Sequence, residues 1–307
     1  MVQEGGVMSN YHNPVMLQEC IDGLNIRKGG TYVDVTFGGG GHSREILKHL
    51  GEDGTLLAFD QDADAQQNLI DDPRFTFIDQ NFRYLKNFCR LHGAIPVDGI
   101  LADLGVSSYQ FDQAERGFSI RFDAELDMRM NQSSELTAKD VVNTYSEAEL
   151  HRIFGIYGEI QNAKSLANTI VTARLNAPLV TVADLKNAIA ARIPRGKENK
   201  YLAQVFQALR IEVNQELEAL KDFLVQSAEV LVSGGRLVVM SYHSLEDRLV
   251  KNFIAKGKFS GDVEKDFFGN DQKPFDAVSR GAITASEEEI INNNRARSAK
   301  LRIAVKK

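Results

Sequence analysis

Short apolar runs alternate with longer amphipathic stretches between residues 31 and 103 of the chain. Apolar runs rich in β-branched and aromatic residues predict buried strands, and the stretches between them predict helices. The alternation is typical of an α/β fold with a parallel sheet. The predicted strands are Tyr32–Thr36, Leu56–Phe59, Phe75–Ile78 and Val97–Ala102.

The pattern changes to helices alone between about Leu136 and Ile193. Ser146-Glu-Ala-Glu149 and Thr181-Val-Ala-Asp184 predict two helix starts, because a hydroxyl residue followed three positions later by an acid forms a capping box. We therefore predict a helical insertion of roughly 60 to 100 residues that forms a subdomain of its own.

The strand pattern returns after the insertion. A long amphipathic helix is predicted from about Tyr201 to Leu231, followed by a turn at Ser233-Gly-Gly235 and a buried strand at Arg236–Ser241. Residues 257–280 have no period and are predicted to form a loop. The sheet domain is therefore interrupted by the helices rather than followed by them.

The predicted fold class is α/β, with a Rossmann-like sheet interrupted by an all-helical insertion. The two parts of the sheet domain are predicted at residues 1–110 and 205–307, and the insertion at 111–204.

Composition and length suit a chain with a sizeable core, since 43% of the 307 residues are hydrophobic and 25% are charged. No apolar run approaches the ~20 residues of a membrane span, and residues 1–13 lack the features of a signal peptide.

Cys20 and Cys89 lie far apart, which predicts neither a zinc site nor a disulfide framework and suits a reducing cytoplasm. His12 and His42 have no partners at metal-ligand spacing, so no metal is predicted. We expect a cytoplasmic protein without a membrane partner.

The net charge of −6 hides two basic segments. Arg295–Lys307 contains six basic residues and no acid, and Arg192–Lys200 contains four basic residues and only Glu198 as an acid. Local basic patches permit contact with nucleic acid. From charge alone, a solvated face or a frayed tail is the simpler interpretation.

The most informative motif is the run of four glycines, Gly38 to Gly41, which joins the first predicted strand to a helix that opens at Ser43. The second predicted strand is followed by an acid, Asp60. Strand, glycine turn, helix, strand and acid in this order are typical of a Rossmann-type site for a nucleoside cofactor. Glycines allow a close approach of the backbone and positive φ angles, and the acid can accept hydrogen bonds from both ribose hydroxyls.

The glycine loop lacks the two common phosphate signatures. The dinucleotide motif needs a glycine at its sixth position, where this chain has Ser43 or Arg44, depending on the register. No Gly-Lys-Ser/Thr run follows, as a Walker A loop would require. The loop therefore favours S-adenosylmethionine, a nucleoside without phosphate, over NAD or ATP.

Asp103 follows the fourth predicted strand and opens the motif Asp103-Leu-Gly-Val-Ser-Ser108. Ligands of open parallel sheets bind at this edge. A carboxylate there can accept the N–H of an exocyclic amine and localise its lone pair for attack on a sulfonium methyl group, although a strand-end acid can also simply cap a turn. Carbon-5 methylation of a pyrimidine would need a cysteine nucleophile, and neither cysteine follows these strands. Nitrogen or oxygen is therefore the expected acceptor.

Aromatic residues accompany this edge. Tyr242 and His243 follow the strand after the insertion and could stack on a base or hydrogen-bond with it, or could be packed strand-end residues. Tyr109, Phe111 and Phe118 follow Asp103 and could line a pocket for a flipped base, with core packing as the equal alternative.

These motifs, in this order from His12 to about Arg302, resemble those of the bacterial 16S rRNA cytosine-N4 methyltransferase family. The motifs that carry the resemblance are His12-Asn-Pro-Val15, Thr36-Phe-Gly-Gly-Gly-Gly-His-Ser43, Asp103-Leu-Gly-Val-Ser-Ser108, Glu115-Arg-Gly-Phe-Ser119, Leu126-Asp-Met-Arg-Met130, Phe206-Gln-Ala-Leu-Arg-Ile211, Ser241-Tyr-His-Ser-Leu-Glu-Asp-Arg248 and Arg295-Ala-Arg-Ser298. The chain departs from the family at Asn293-Asn294, where Asn-Pro is common, and between Phe118 and Leu126.

The resemblance implies a class I methyltransferase that uses S-adenosylmethionine. It would methylate N4 of one cytidine in the decoding region of 16S rRNA, in the small ribosomal subunit, and the insertion would recognise RNA. It implies cofactor contacts from Gly40, Gly41, His42, Asp60, Phe82, Asp103 and Gln110, with Asp103 as the catalytic residue.

Two other classes of function stay open on the residues alone. One is a methyltransferase for a small molecule or a protein, in which Arg295, Arg297 and Arg302 would be incidental. The other is a module that binds the cofactor without turnover, which the intact Asp103 motif makes the weakest hypothesis.

Overall fold

The computed structural model describes residues 14–106 and 113–307, and these residues form two compact units. The first unit takes in the chain up to Asp60, Asp64–Gly105 and Lys221–Lys307. The second takes in Gln61–Ala63 and the stretch from Val106 to Leu220. The second unit therefore continues beyond residue 204, where the predicted insertion ends.

The described strands of the first unit form one seven-stranded sheet in the order β3-β2-β1-β4-β5-β7-β6. Strands β1 to β5 pair in parallel, whereas β7 runs antiparallel to both β5 and β6. The strands are β1 (Thr31–Asp34), β2 (Thr55–Asp60), β3 (Phe75–Asp79), β4 (Val97–Asp103), β5 (Leu231–Ser241), β6 (Phe275–Ala277) and β7 (Lys300–Lys306).

Helices flank this sheet and build the second unit. In chain order, the described helices are α1 (Leu17–Leu24), α2 (Gly41–His49), α3 (Leu85–Leu91), α4 (Ala138–Thr144), α5 (Glu147–Ile156), α6 (Ala163–Arg174), α7 (Val182–Ile189), α8 (Glu198–Asn214), α9 (Glu216–Val230), α10 (Ser244–Lys256) and α11 (Glu287–Asn292). In the residues that the structure describes, no helix is both long enough and apolar enough to span a bilayer.

The core of the first unit lies in the central strands, whose nearly continuous apolar sequences are typical of parallel strands buried on both faces. Side chains with no exposed surface include Val33, Leu56, Ala58, Ile100, Leu101 and Val238. The five predicted strands are all present, with ends that differ by a few residues.

The second unit has a separate apolar core, formed by α4 to α8 and the segment before them. Fully buried members include Leu126, Val141, Leu150, Phe154, Leu166, Leu185 and Leu209. Both predicted capping boxes are present: Ser146 and Glu149 begin α5, and Thr181 and Asp184 begin α7. Each box satisfies backbone N–H groups that a helix start leaves without partners.

A buried ion pair also lies in the second unit. Arg116 donates to both carboxylate oxygens of Asp62 at 3.3 and 3.1 Å, and also to the carbonyls of Arg129 and Met130. This pair ties the short segment after β2 to the helical unit.

The single long helix predicted over 201–231 is wrong. Helix α8 ends at Asn214, Gln215 adopts a left-handed conformation with φ 49°, and α9 begins at Glu216. The Asn214 side chain donates to the Met128 carbonyl at 2.8 Å and accepts the Met130 N–H at 2.7 Å. The apolar period is continuous across a one-residue break, so the pattern alone does not reveal it.

Three further predictions near the second half of the sheet need correction. The predicted turn at 233–235 is an irregularity inside β5, where Gly234 has φ 83° and the register against β4 shifts. The predicted loop 257–280 contains β6. The C-terminal basic segment is no frayed tail, because Lys300–Lys306 forms β7, with Leu301 and Ile303 buried.

Candidate active site

The carboxyl ends of the parallel strands meet at one edge of the sheet, and four of them end on an acid. These acids are Asp34 on β1, Asp60 on β2, Asp79 on β3 and Asp103 on β4. In the strand pairing, Asp60 lies beside Asp79 and Asp34 lies beside Leu101, so the carboxyl ends of these strands are at similar heights in the sheet. The edge therefore concentrates carboxylates where the sequence predicted a ligand site.

The glycine loop turns sharply between β1 and α2. Gly38 and Gly40 have φ angles of 49° and 74°, which side chains rarely tolerate, and Gly40 is the N-cap of α2. A Cβ on Gly41 would lie 2.3 Å from Cγ of Pro14. Glycine is therefore required at Gly40 by conformation and at Gly41 by close packing.

Asp60 holds the start of this loop. The Gly38 N–H donates to Oδ2 of Asp60 at 2.7 Å, so the last residue of β2 is tied to the first glycine. On the other side, the Arg44 guanidinium donates to the carbonyls of Gly39 at 2.7 Å and Asn68 at 2.9 Å. The loop is thus fixed from both sides by side chains of its own unit.

Asp34 is a buried acid beneath the loop that the sequence reasoning missed. Its Oδ2 accepts the Ser43 hydroxyl at 2.7 Å, and its Oδ1 accepts the Thr36 N–H at 3.1 Å. Burial raises the pKa of Asp34, while the nearby His42 and the hydrogen bond from Ser43 act to lower it. The sequence signal that could have identified Asp34 is an acid within the apolar strand sequence Tyr32-Val-Asp-Val35.

Thr36 links this buried acid to Asp103. Its Oγ1 accepts the backbone N–H of Asp103 at 2.7 Å, and it lies 3.5 Å from Oδ1 of Asp34. The end of β4 is therefore fixed to the segment after β1 by a hydroxyl group. The sequence motif included Thr36 but gave it no role.

The Asp103 side chain lies at the edge with 24% of its surface exposed. Its Oδ1 accepts the Tyr242 hydroxyl at 2.7 Å, and its Oδ2 lies 4.0 Å from Nδ1 of the buried His42. Loss of solvent raises the pKa of Asp103, whereas the charges of His42 and Arg295 and the hydrogen bond from Tyr242 act to lower it. Asp103 and His42, both proposed as site residues, are brought together.

The residues after β5 have roles that differ from one another. Burial and the Asp103 carboxylate raise the pKa of Tyr242, so its hydroxyl stays protonated and donates a hydrogen bond to Asp103. His243 is the N-cap of α10: its Nδ1 accepts the Glu246 N–H at 3.5 Å, and its Nε2 lies 3.0 Å from Oε1 of Glu246. His243 therefore has a capping role, whether or not it contacts a base.

Phe82 lies just after β3, in a 3₁₀ turn over Phe82–Tyr84. Its ring is partly buried and packs edge-to-face on Phe223 at 5.5 Å, and the adjacent Arg83 pairs with Asp222 at 2.7 Å. These contacts fix the position of a flat apolar surface that suits an adenine ring.

Three residues of the predicted site region lie outside the described residues: Tyr109, Gln110 and Phe111. Phe118 belongs to the apolar core of the second unit, with 6% of its surface exposed and the Arg116 guanidinium 5.8 Å from its ring centre. Of the two interpretations of Phe118, core packing is the one that the structure supports.

The residues at the edge fit S-adenosylmethionine. Asp60 supplies a carboxylate for a ribose diol, Phe82 supplies an apolar surface, and His42 and Asp103 supply polar groups beside the loop. Arg44, the cation nearest the glycines in sequence, donates to backbone carbonyls of its own unit. A nucleoside without phosphate suits this set of donors and acceptors better than a nucleotide.

A sheet of five parallel strands with an antiparallel β7 inserted beside β5, and an acid-lined glycine loop at its edge, defines a class I methyltransferase that depends on S-adenosylmethionine. Residues 9–307 match the MraW methylase family, and the chain belongs to that family.

Curated relatives share most of the sequence. A protein of Cytophaga hutchinsonii named ribosomal RNA small subunit methyltransferase H is 61% identical over 296 residues, which cover 96% of this chain and 99% of that protein. Proteins of the same name from Christiangramia forsetii and Bacteroides thetaiotaomicron are each 58% identical, and cover 98% and 97% of this chain. The alignments cover 99% and 98% of those two proteins.

Proposed function

We propose that this methyltransferase transfers a methyl group to the exocyclic N4 of one cytidine in the decoding region of 16S rRNA, within the small ribosomal subunit, in the cytoplasm. The observation that carries the proposal is the placement of Asp103 at the edge of the sheet, where it lies beside His42 and accepts a hydrogen bond from the Tyr242 hydroxyl. The names of the curated relatives, which specify small-subunit ribosomal RNA, support the substrate class. They disfavour a small-molecule or protein substrate.

The cofactor contacts are part of this proposal. Asp60 would bind the ribose hydroxyls, Phe82 would lie against the adenine, and Gly40, Gly41 and His42 would line the rest of the site, together with Asp103 and Gln110. Support comes from the loop geometry around Gly38 and from the packing of Phe82 on Phe223. The fixed loop would bind the cofactor without paying for its own ordering.

Asp103 is the proposed catalytic residue. The lone pair of a cytosine amine is delocalised into the ring, so the amine is a poor nucleophile. A carboxylate that accepts one of its N–H groups localises the lone pair and can take the proton as the new N–C bond forms. Bound S-adenosylmethionine supplies an electrophilic methyl group whose C–S bond breaks in the same displacement. Much of the rate would come from holding the amine in line with that bond.

RNA binding is proposed for the second unit, where Arg195, Lys197 and Lys200 are exposed at the start of α8. Cations on one segment contact phosphates and fix the register of folded RNA without reading its sequence. The target base would be turned out of its stack to reach the sheet edge.

The test uses S-adenosylmethionine with a labelled methyl group and small subunits from cells that lack this protein. Nucleoside mass spectrometry should find the label in N4-methylcytidine and in no other nucleoside. Label on another atom, or no label in rRNA from a folded, cofactor-binding protein, would contradict the proposal. Free 16S rRNA and a bulk protein fraction serve as parallel substrates that separate the rRNA and protein alternatives.

A further inference from the structure

Tyr242 lies directly after β5, and its hydroxyl reaches across to the end of the neighbouring strand β4. The bond to Oδ1 of Asp103 is 2.7 Å long and joins two residues of the same compact unit. A Cβ on Gly105 would lie 3.2 Å from Cδ2 of Tyr242. The tyrosine ring therefore packs against the backbone just after Asp103, and glycine is what allows that approach.

Two hydrogen bonds fix Asp103, and His42 lies close to its second carboxylate oxygen. The Thr36 hydroxyl accepts its backbone N–H, the Tyr242 hydroxyl binds Oδ1, and His42 lies 4.0 Å from Oδ2. With Oδ1 committed to Tyr242, Oδ2 is the oxygen that faces His42 at the edge of the sheet.

We propose that Tyr242 is a positioning residue, whose hydroxyl fixes the Asp103 carboxylate through Oδ1 so that the second oxygen, Oδ2, can accept a hydrogen bond from the substrate amine. This inference rests on the proposed function, because it assumes that Asp103 acts on an amine. It assigns Tyr242 a role through Asp103, separate from any stacking on a base.

Several charged or titratable groups face Asp103 and influence its pKa. These groups are His42 on α2, Asp34 at the end of β1, Cys20 on α1, Arg295 in the turn before β7, and Tyr242 just after β5. Loss of solvent and the Asp34 charge raise the pKa of Asp103, and the Tyr242 hydrogen bond is one of the interactions that lower it. Removal of the hydroxyl should therefore raise this pKa further.

The predicted consequence appears in the pH dependence of the rate. The ionised carboxylate is the active form, so the rate rises with pH as Asp103 loses its proton. In Tyr242→Phe, the acid limb of the profile of single-turnover rate against pH should move to higher pH. At neutral pH, the single-turnover rate constant should fall ~10- to 100-fold, the range of a hydrogen bond to a charged group.

Tyr32→Phe is the matched control, because it also removes one hydroxyl from a hydrogen-bonded tyrosine of the first unit. The Tyr32 hydroxyl accepts the Arg27 N–H at 2.8 Å near the amino end of β1, away from Asp103. This variant should lose stability and keep the wild-type pH profile. A loss of folding alone therefore cannot imitate the predicted shift.

Incorporation of 3-fluorotyrosine at position 242 tests the opposite direction and keeps the ring and the hydroxyl. Its phenol is more acidic and a stronger donor, so the acid limb should move to lower pH. If Tyr242→Phe does not fold, the pH profile of the fluorotyrosine protein alone tests whether the Tyr242 hydroxyl acts through Asp103.

The experiment measures single-turnover methylation of small subunits from pH 5 to pH 9 with saturating cofactor, roughly the range over which perturbed carboxylates and histidines titrate. Opposite shifts for the two Tyr242 proteins support the inference. Unchanged profiles in both, beside an active wild-type protein, would overturn it and leave the proposed function intact. A wild-type protein that transfers nothing to rRNA would refute the proposed function and this inference together.

Discussion

The backbone N–H of Gly38 donates to Oδ2 of Asp60 at 2.7 Å, so the last residue of β2 fixes the first glycine of the loop that follows β1. One carboxylate thus shapes the loop at the place where a nucleoside would bind. Asp60 combines a structural contact with the proposed ribose contact, and a substitution there must be tested for both.

We predict that Asp60→Asn weakens binding of S-adenosylmethionine by ~10-fold or more, since hydrogen bonds to a charged group contribute about 1.5–3 kcal/mol. The amide oxygen can still accept the Gly38 N–H, so the free energy of unfolding should change little. Isothermal titration calorimetry measures the affinity, and urea denaturation measures the stability.

Asp79→Asn is the control for Asp60, because Asp79 is an exposed acid at the end of the neighbouring strand β3, where it accepts a hydrogen bond from the Gln66 amide at 3.0 Å. It should bind the cofactor like the wild type. Equal affinities for the two variants would remove Asp60 from the cofactor site.

Gly41→Ala should destabilise the protein by about 1–3 kcal/mol, the usual cost of overpacking a tight site. The new Cβ would lie 2.3 Å from Cγ of Pro14, and one of the two segments would have to move. Gly39→Ala is the matched control: its Cβ would meet no described atom within 4 Å, and its φ is not positive. Thermal unfolding of both variants checks the difference, and equal melting temperatures would contradict the account of this loop.

The strands of the sheet and the helix starts could be predicted from the sequence, because the signals for them lie within a few consecutive residues. Parallel strands buried on both faces give continuous apolar runs, and capping boxes such as Ser146–Glu149 need only four residues. Strand β7 was not predicted, because its apolar positions Leu301 and Ile303 alternate with basic residues in a segment whose charge suggested a solvated face or tail. The break at Gln215 depends on contacts of Asn214 with residues far away in sequence, which no local pattern contains.

The site was predicted less completely, for a similar reason. Asp103 and Asp60 stand at strand ends, which position alone can identify. His42 came only from the family resemblance, because its role depends on packing beside Asp103. The partnership of Tyr242 with Asp103 joins residues 139 positions apart, and neither spacing nor composition encodes it.

The basic residues of the C-terminal segment and those before α8 need separate tests, because one of the former is ion-paired whereas the latter are exposed. Arg302 pairs with Asp247 at 2.7 Å and stabilises the sheet domain, so its substitution confounds stability with RNA binding. Arg195, Lys197 and Lys200 are exposed. Changing these three to alanine should weaken rRNA binding and reduce the slope of log K against log salt by up to about 1 for each lost phosphate contact.

The control for that triple variant removes three lysines from the first unit. Lys258, Lys265 and Lys273 pair with Glu264, Asp271 and Asp276 at 3.0, 3.8 and 3.1 Å, and their alanine variants change the net charge equally. Filter binding over a range of KCl concentrations should give this control the wild-type slope. Identical slopes for both triple variants would mean that net charge, rather than the segment before α8, governs RNA binding.

The central claim is that Asp103 enables methyl transfer to cytidine N4 in small-subunit rRNA. The most direct measurement is the single-turnover rate of N4-methylcytidine formation by the wild type and by Asp103→Ala at saturating S-adenosylmethionine, with circular dichroism to confirm folding. We predict that the wild type forms N4-methylcytidine and that the folded variant is slower by about 10²- to 10⁴-fold, the usual contribution of a positioned acid–base group. A folded Asp103→Ala protein that methylates at the wild-type rate would contradict the account.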